Sequence, residues 1–223
     1  MSVSVACMCG YYCNRSVRGR PEDFDSYKFV QALKGKPLNM HAFIPVRGRK
    51  ERLSNDNADD AIKWFAMMSC DYLGEKDQAG PFLVIPVPNS KCAKDSTVRP
   101  RTRKLAKAVC DLLDDGSVIV DCLRWKENLG SAAEEGGPRE AEILFENLVL
   151  LRGALDEADE DWPVLLIDDV TTSGGHLRAC SAKLKVRGLN VALAICGAKT
   201  VYDQKIRAFH VYEYELEHYK PPK

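Results

Sequence analysis

A chain of 223 residues, 45% hydrophobic and 29% charged, is long enough to bury a sizeable core and sized for one α/β domain with at most a modest subdomain. Its 32 basic and 32 acidic residues cancel, which excludes a generally basic nucleic-acid binder and leaves only a local patch open. No apolar run approaches membrane-spanning length and the N-terminus lacks the basic-then-apolar layout of a secretory leader, so the expectation is a cytoplasmic protein with no membrane partner.

The first chemistry met along the chain is Cys7, Cys9 and Cys13, three of nine cysteines. An odd count fits reduced thiols. Their spacing lacks an obvious fourth zinc ligand, so a metal site needs Cys70 or His41 from elsewhere. The other reading is an N-terminal strand or loop with free thiols. Phe24 to Leu33 is compatible with a short helix broken by Gly35 and Pro37, and Met40 to Val46 looks strand-like. A charged stretch, Arg47 to Asp60, separates it from Ala61 to Leu73, where Ile62, Phe65, Ala66, Cys70 and Leu73 share one helical face.

From Phe82 an alternating rhythm sets in. Phe82 to Val87 reads as a buried strand, and Thr102 to Leu113 as an amphipathic helix stopped by Gly116. Val118 to Leu123 is the next strand, and the polar, glycine-containing Arg124 to Pro138 a long loop. Arg139 to Leu155 is mainly helical in pattern, with Asn147 to Leu151 open to a strand instead. Val164 to Ile167 is a strand, followed by a helix that turns Leu177, Cys180 and Leu184 inward and ends at Gly188. Val191 to Cys196 and Val211 to Leu216 supply two more strands. Cys110, Cys122, Cys180 and Cys196 fall inside apolar patterns and read as small core residues. Strands alternating with amphipathic helices imply a doubly wound, mostly parallel sheet covered on both faces, with ligands bound beyond the carboxyl ends of the strands.

One such end carries the most demanding pattern in the chain. Val164-Leu165-Leu166-Ile167 runs into two adjacent carboxylates, Asp168 and Asp169, then Val170-Thr171-Thr172-Ser173-Gly174-Gly175-His176 and a helix. A tight turn into a helix N-terminus aims backbone N–H groups and positive partial charge at a phosphate. Glycines admit the anion closely and hydroxyls add donors. The carboxylates beside that cradle suit ribose hydroxyls. The plain alternative is an ordinary strand followed by a capped helix.

These thirteen residues resemble the 5-phosphoribosyl-1-pyrophosphate (PRPP) motif of type I phosphoribosyltransferases: an aliphatic run, an acidic pair, an apolar residue, then a hydroxyl- and glycine-rich loop. Thr171 stands where that family usually has an aliphatic residue. His176 stands where it usually has Thr or another small residue, and either faces the 5-phosphate or merely begins the helix. The strand end Val84-Ile85-Pro86-Val87-Pro88-Asn89-Ser90-Lys91 resembles that of the ComF-like branch, although Arg99-Pro100-Arg101-Thr102-Arg103-Lys104-Leu105-Ala106 lacks the Arg-Gly-Phe-Asn character that usually follows.

The resemblance spans about Phe82 to Thr200. It implies a PRPP-binding core over residues 81–200, with a variable hood from residues 1–80 and a C-terminal strand or hood extension over 201–223. It implies Mg2+, a nitrogenous base or amine as acceptor, and release of pyrophosphate. Asp168 and Asp169 would fix the ribose, and Val170, Thr171, Thr172, Ser173, Gly174, Gly175 and His176 would bind substrate, the last five around the 5-phosphate. Pro88, Asn89, Ser90 and Lys91 would take the pyrophosphate, though Lys91 and the arginines read equally as a solvated basic surface. Arg124 to Pro138 would form a closing lid with Gly130, Gly136 and Gly137 as hinges, Arg124 and Lys126 acting in catalysis and Arg139 on phosphate. The same resemblance leaves open a homodimer. It also leaves open a non-catalytic PRPP- or nucleotide-sensing protein linked to DNA uptake or processing. No phosphate-loop or dinucleotide-binding glycine signature supports a kinase or dehydrogenase.

Overall fold

The computed structural model describes residues 2–14, 16, 18–129, 140–151, 161–203, 206–217 and 219–221. Its centre is a six-stranded sheet. The strands are β1 (Ser2–Tyr11), β4 (Leu83–Pro86), β5 (Val118–Ile119), β8 (Val164–Thr171), β9 (Val191–Thr200) and β10 (Tyr212–Glu217), in the order β10-β1-β9-β8-β4-β5. All neighbours are parallel except β10, which runs antiparallel along the edge. Helices α1 (Pro21–Leu33), α2 (Asp60–Glu75) and α3 (Thr102–Leu113) bury Phe29, Val30, Phe65 and Leu105 with Leu165, Ile167 and Ile195 of the sheet. On the other face, α4 (Ala141–Asn147) and α5 (Gly175–Val186) bury Leu144, Leu177, Cys180 and Leu184 with Val164, Leu166 and Ala194. Successive residues of β8 thus enter opposite cores, which is why Val164 to Ile167 is apolar without alternation. Two small ribbons complete the described structure: β2 (Ala42–Val46) with β3 (Arg49–Leu53), and β6 (Leu123–Trp125) with β7 (Leu148–Leu150).

The mostly parallel sheet with helices on both faces is the expected fold class, and it gains one strand, β1, beyond those the alternating rhythm marks. The N-terminal region contributes β1 to the sheet, and the strand expected from Val211 to Leu216 is β10 at its edge. β1 lies between β9 and β10, and its near-continuous apolar run is buried on both faces. β10 alternates Tyr212, Tyr214 and Leu216 against the core with Glu213, Glu215 and Glu217 outward. An outward row of carboxylates suits an edge strand, where like charge discourages pairing with another chain.

Two elements are corrected. The strand expected from Val118 to Leu123 is split. Asp121 accepts hydrogen bonds from Arg124 Nη1 (2.6 Å) and Nη2 (3.0 Å), and the chain leaves the sheet to pair with β7. Arg124 therefore lies in β6, not in a loop, and the strand alternative at Asn147 to Leu151 holds for its middle three residues. Residues 130–139, which contain Gly130, Gly136, Gly137 and Arg139, lie outside the described residues. Among the described residues no helix is long and apolar enough to cross a membrane.

Candidate functional site

A cavity of about 350 Å³ opens beyond the carboxyl ends of β1, β4, β8 and β9. Parallel strands share this end, so every residue that follows them is delivered to one rim. Asp168, Asp169, Val170, Thr171, Thr172, Ser173, Gly174, Gly175 and His176 line the cavity, as do Pro88, Asn89 and Ser90 from the end of β4. Three other predicted residues are placed elsewhere. Lys91 is exposed and outside the lining. Arg124 is buried and occupied by Asp121 and by the Leu123 carbonyl (2.8 Å). Exposed Lys126 bonds through its amide to Asn147 O (2.7 Å), and its side chain does not reach the lining.

Asp168 and Asp169 are buried residues, and their carboxylates are nearly closed from solvent. Burial, and then the charge of Asp169, push the Asp168 carboxyl up to about 8. Its Oδ1 accepts the Asp169 amide at 2.8 Å, which fixes the plane of the carboxyl. Asp169 is held by Arg101, whose Nε donates to Oδ2 at 2.9 Å and whose Nη2 reaches the same oxygen. Lys34, just beyond α1, brings a third charge. Its ammonium lies 4.4 Å from the centre of the Tyr11 ring, which stacks on Tyr27 at 5.7 Å. Burial lowers the Lys34 amine from its ordinary range, and Asp169 partly offsets that.

The turn at residues 88–92 is pinned from three sides. Trp125 Nε1 donates to Asn89 O (3.0 Å), the Arg101 amide donates to Asn89 Oδ1 (3.3 Å), and the Thr102 hydroxyl donates to Val87 O (2.6 Å). Across the cavity, Thr172 and Thr200 share a hydroxyl–hydroxyl bond of 2.8 Å. Gly174 then begins α5 at φ +77, and a Cβ there would stand 2.6 Å from Leu216 Cδ1. The first N–H groups of a helix lack intrahelical acceptors, and Gly174, Gly175 and His176 at this helix start line the cavity. Gly174→Ala combines left-handed strain with a clash and is expected to cost about 2 kcal/mol, read as a fall in Tm. His176 lies in the first turn of α5 and lines the cavity. Its ring contacts Trp125 edge-on at 5.5 Å, and burial lowers its pKa, which favours the neutral imidazole.

The zinc reading is not built. Cys7 and Cys9 are buried in β1 in separate cores, Cys9 donating to Gly197 O (3.4 Å), while Cys13 is exposed at the cavity rim. Among the described residues no three His, Cys, Asp or Glu side chains are grouped to hold a metal. The oxygen groups among the lining residues, which include two carboxylates and the hydroxyls of Ser90, Thr172, Ser173 and Thr200, are hard donors. They fit a Mg2+ carried in on phosphate oxygens better than a metal caged by protein alone.

Sequence reasoning missed Lys34 and Tyr11, which a strand and a helix of the N-terminal region deliver to the rim, and did not single out Arg101 from its basic run. It also missed Gly197, an isolated glycine in a strand pattern and hence a sign of close backbone approach. No family model matches this chain, and no curated protein matches it.

Proposed function

We propose that the chain is a PRPP-dependent phosphoribosyltransferase of the type I kind, moving the 5-phosphoribosyl group to a nitrogenous base or amine with release of pyrophosphate. The observation that carries this reading is the convergence, in one cavity, of the acidic pair, the Thr172–Gly175 turn opening α5, and the pinned strand end at Pro88, Asn89 and Ser90. Each matches one part of PRPP. The helix-opening turn supplies N–H donors to the 5-phosphate. Asp168 and Asp169 accept from the ribose hydroxyls, and Asp169, joined by Asp168 once it is ionised, lends negative potential to the positive charge that develops at the anomeric carbon. Asn89, Ser90 and Arg101 face the diphosphate. The anomeric C–O bond to diphosphate breaks, a C–N bond to the acceptor forms, and the amine nitrogen sheds its proton. Mg2+, when bound, neutralises charge on the leaving pyrophosphate. Positioning and electrostatics thus do the chemistry without a covalent intermediate on the protein.

The test is calorimetric titration of the full chain with PRPP and Mg2+, followed by assay of pyrophosphate release against a panel of bases and amines. Binding with turnover is the expected result. Binding without release from any acceptor would identify a PRPP-sensing protein instead, and no binding by folded protein would overturn both readings.

A further inference from the structure

The acidic pair is not free to receive a sugar. Asp169 Oδ2 accepts two N–H groups of Arg101, residues 68 apart in the chain, and that carboxylate is 9% exposed against 37% for the arginine side chain. A ribose hydroxyl must therefore compete with a charge-assisted two-point contact for the same oxygen. Lys34 lies beside Asp169 but makes no hydrogen bond to either carboxylate among the described residues, so Arg101 alone holds this oxygen.

Arg101 is also tied to the opposite wall. Its amide bonds Asn89 Oδ1, and the next residue, Thr102, bonds the Val87 carbonyl, so the guanidinium swings from a backbone fixed at the strand end proposed for the diphosphate. A planar fork of N–H donors matches a diphosphate as well as it matches a carboxylate.

We infer that Arg101 is a specificity-determining residue, which yields Asp169 to the sugar only when a diphosphate group takes its guanidinium. The inference rests on the phosphoribosyl reading of the cavity and deepens it. A sugar phosphate without the 1-diphosphate leaves Arg101 on Asp169 and gains only the phosphate cradle. One that carries it recruits Arg101 and both carboxylates together. The cavity selects for the diphosphate through a partner exchange, with no separate lid required.

The exchange is tested with inorganic pyrophosphate and Mg2+ on the full chain, by calorimetry of wild type, Asp169→Asn, Arg101→Gln and the double variant, with thermal melts to verify folding. Arg101→Met, which keeps the aliphatic stem, replaces Arg101→Gln if that variant does not fold. Asp169→Asn frees the guanidinium and is expected to bind pyrophosphate about fivefold tighter, the equivalent of one modest ion pair. Arg101→Gln is expected to weaken binding about tenfold and to erase the gain from Asp169→Asn. An equal gain with and without Arg101 would reduce the effect to removal of a negative charge and overturn the exchange. So would an unchanged or weaker Asp169→Asn, or folded proteins that bind no pyrophosphate. The expected pattern with pyrophosphate, combined with no binding of PRPP, would overturn the phosphoribosyl reading and leave the exchange of Arg101 between Asp169 and a diphosphate standing.

Discussion

Above about pH 8, replacing Asp168 with Asn is expected to make the protein more stable and about 100-fold less active. The two effects share one cause. Asp168 is buried next to Asp169, and its carboxyl is pushed up to about 8, whereas in the unfolded chain it returns to about 4. A raised folded-state pKa means that the folded protein binds the proton more tightly. The contribution to stability is therefore complete below about pH 4, is lost as pH rises through the window to about 8, and stays lost above it. Asn has no proton to lose and its amide oxygen can still accept the Asp169 N–H. Wild type and variant should melt together near pH 4 and separate with rising pH, reaching on the order of 2 kcal/mol, or about 4–8 °C, above pH 8. The lost activity follows from removing the negative potential that the ionised carboxyl lends where positive charge develops, typically about 10²-fold for one such group, so the deficit grows with pH and is complete only above about pH 8, where that carboxyl is ionised. Thermal melts across pH 4 to 9, with pyrophosphate-release rates, check both signs. A variant less stable than wild type at pH 8 would show that the carboxyl is not the stored cost read here.

How far the sequence discloses this site depends on how local each part is. The β8 end, its turn and α5 are legible because strand, carboxylates, glycines and helix are contiguous, and each constrains its neighbour. The Pro88–Ser90 turn is legible for the same reason. Arg101 is not, because what distinguishes it from Arg99 and Arg103 is a contact 68 residues away, while those two lie near Asp121. Lys34 follows a helix end, a position that carries no chemical signal of its own. It reaches the rim because β1 is inserted beside β9, a pairing nearly 190 residues distant in sequence, as in Cys7 with Cys196. Register across such distances is a property of the folded sheet and leaves no periodic trace in the chain. The same holds for the length of β8. Polar Asp168 and Asp169 suggest that the strand stops at Ile167, yet it continues to Thr171 because β9 continues alongside it.

Gly197 is where that sheet geometry is most exposed to a single change, and Gly197→Ala is expected to damage both stability and ligand binding although Gly197 does not line the cavity. A Cβ at this position would lie 2.7 Å from the Asp169 carbonyl oxygen and 2.6 Å from Leu33 Cδ1. Leucine can shift, but the carbonyl belongs to the stretch of β8 that runs on beside β9 after its pairing with β4 has ended at Ile167, so relief must come from separating β9 and β8. Overpacking of this kind costs about 1–3 kcal/mol, and a backbone neighbour places the expectation near 3. The strand that yields is the one carrying Asp169, so PRPP affinity should fall about tenfold or more with the loss of placement. Gly74→Ala is the control. Gly74 is a helical residue of α2 with nothing within 4 Å of its would-be Cβ, and the change should stabilise by about 0.5–1 kcal/mol without altering binding. Thermal melts and PRPP titration of the two variants separate the possibilities. Two glycine-to-alanine changes of opposite sign would show that the acidic pair depends on one missing methyl group in the neighbouring strand. A Gly197→Ala protein with wild-type stability and affinity would show instead that β8 and β9 have room the structure denies them.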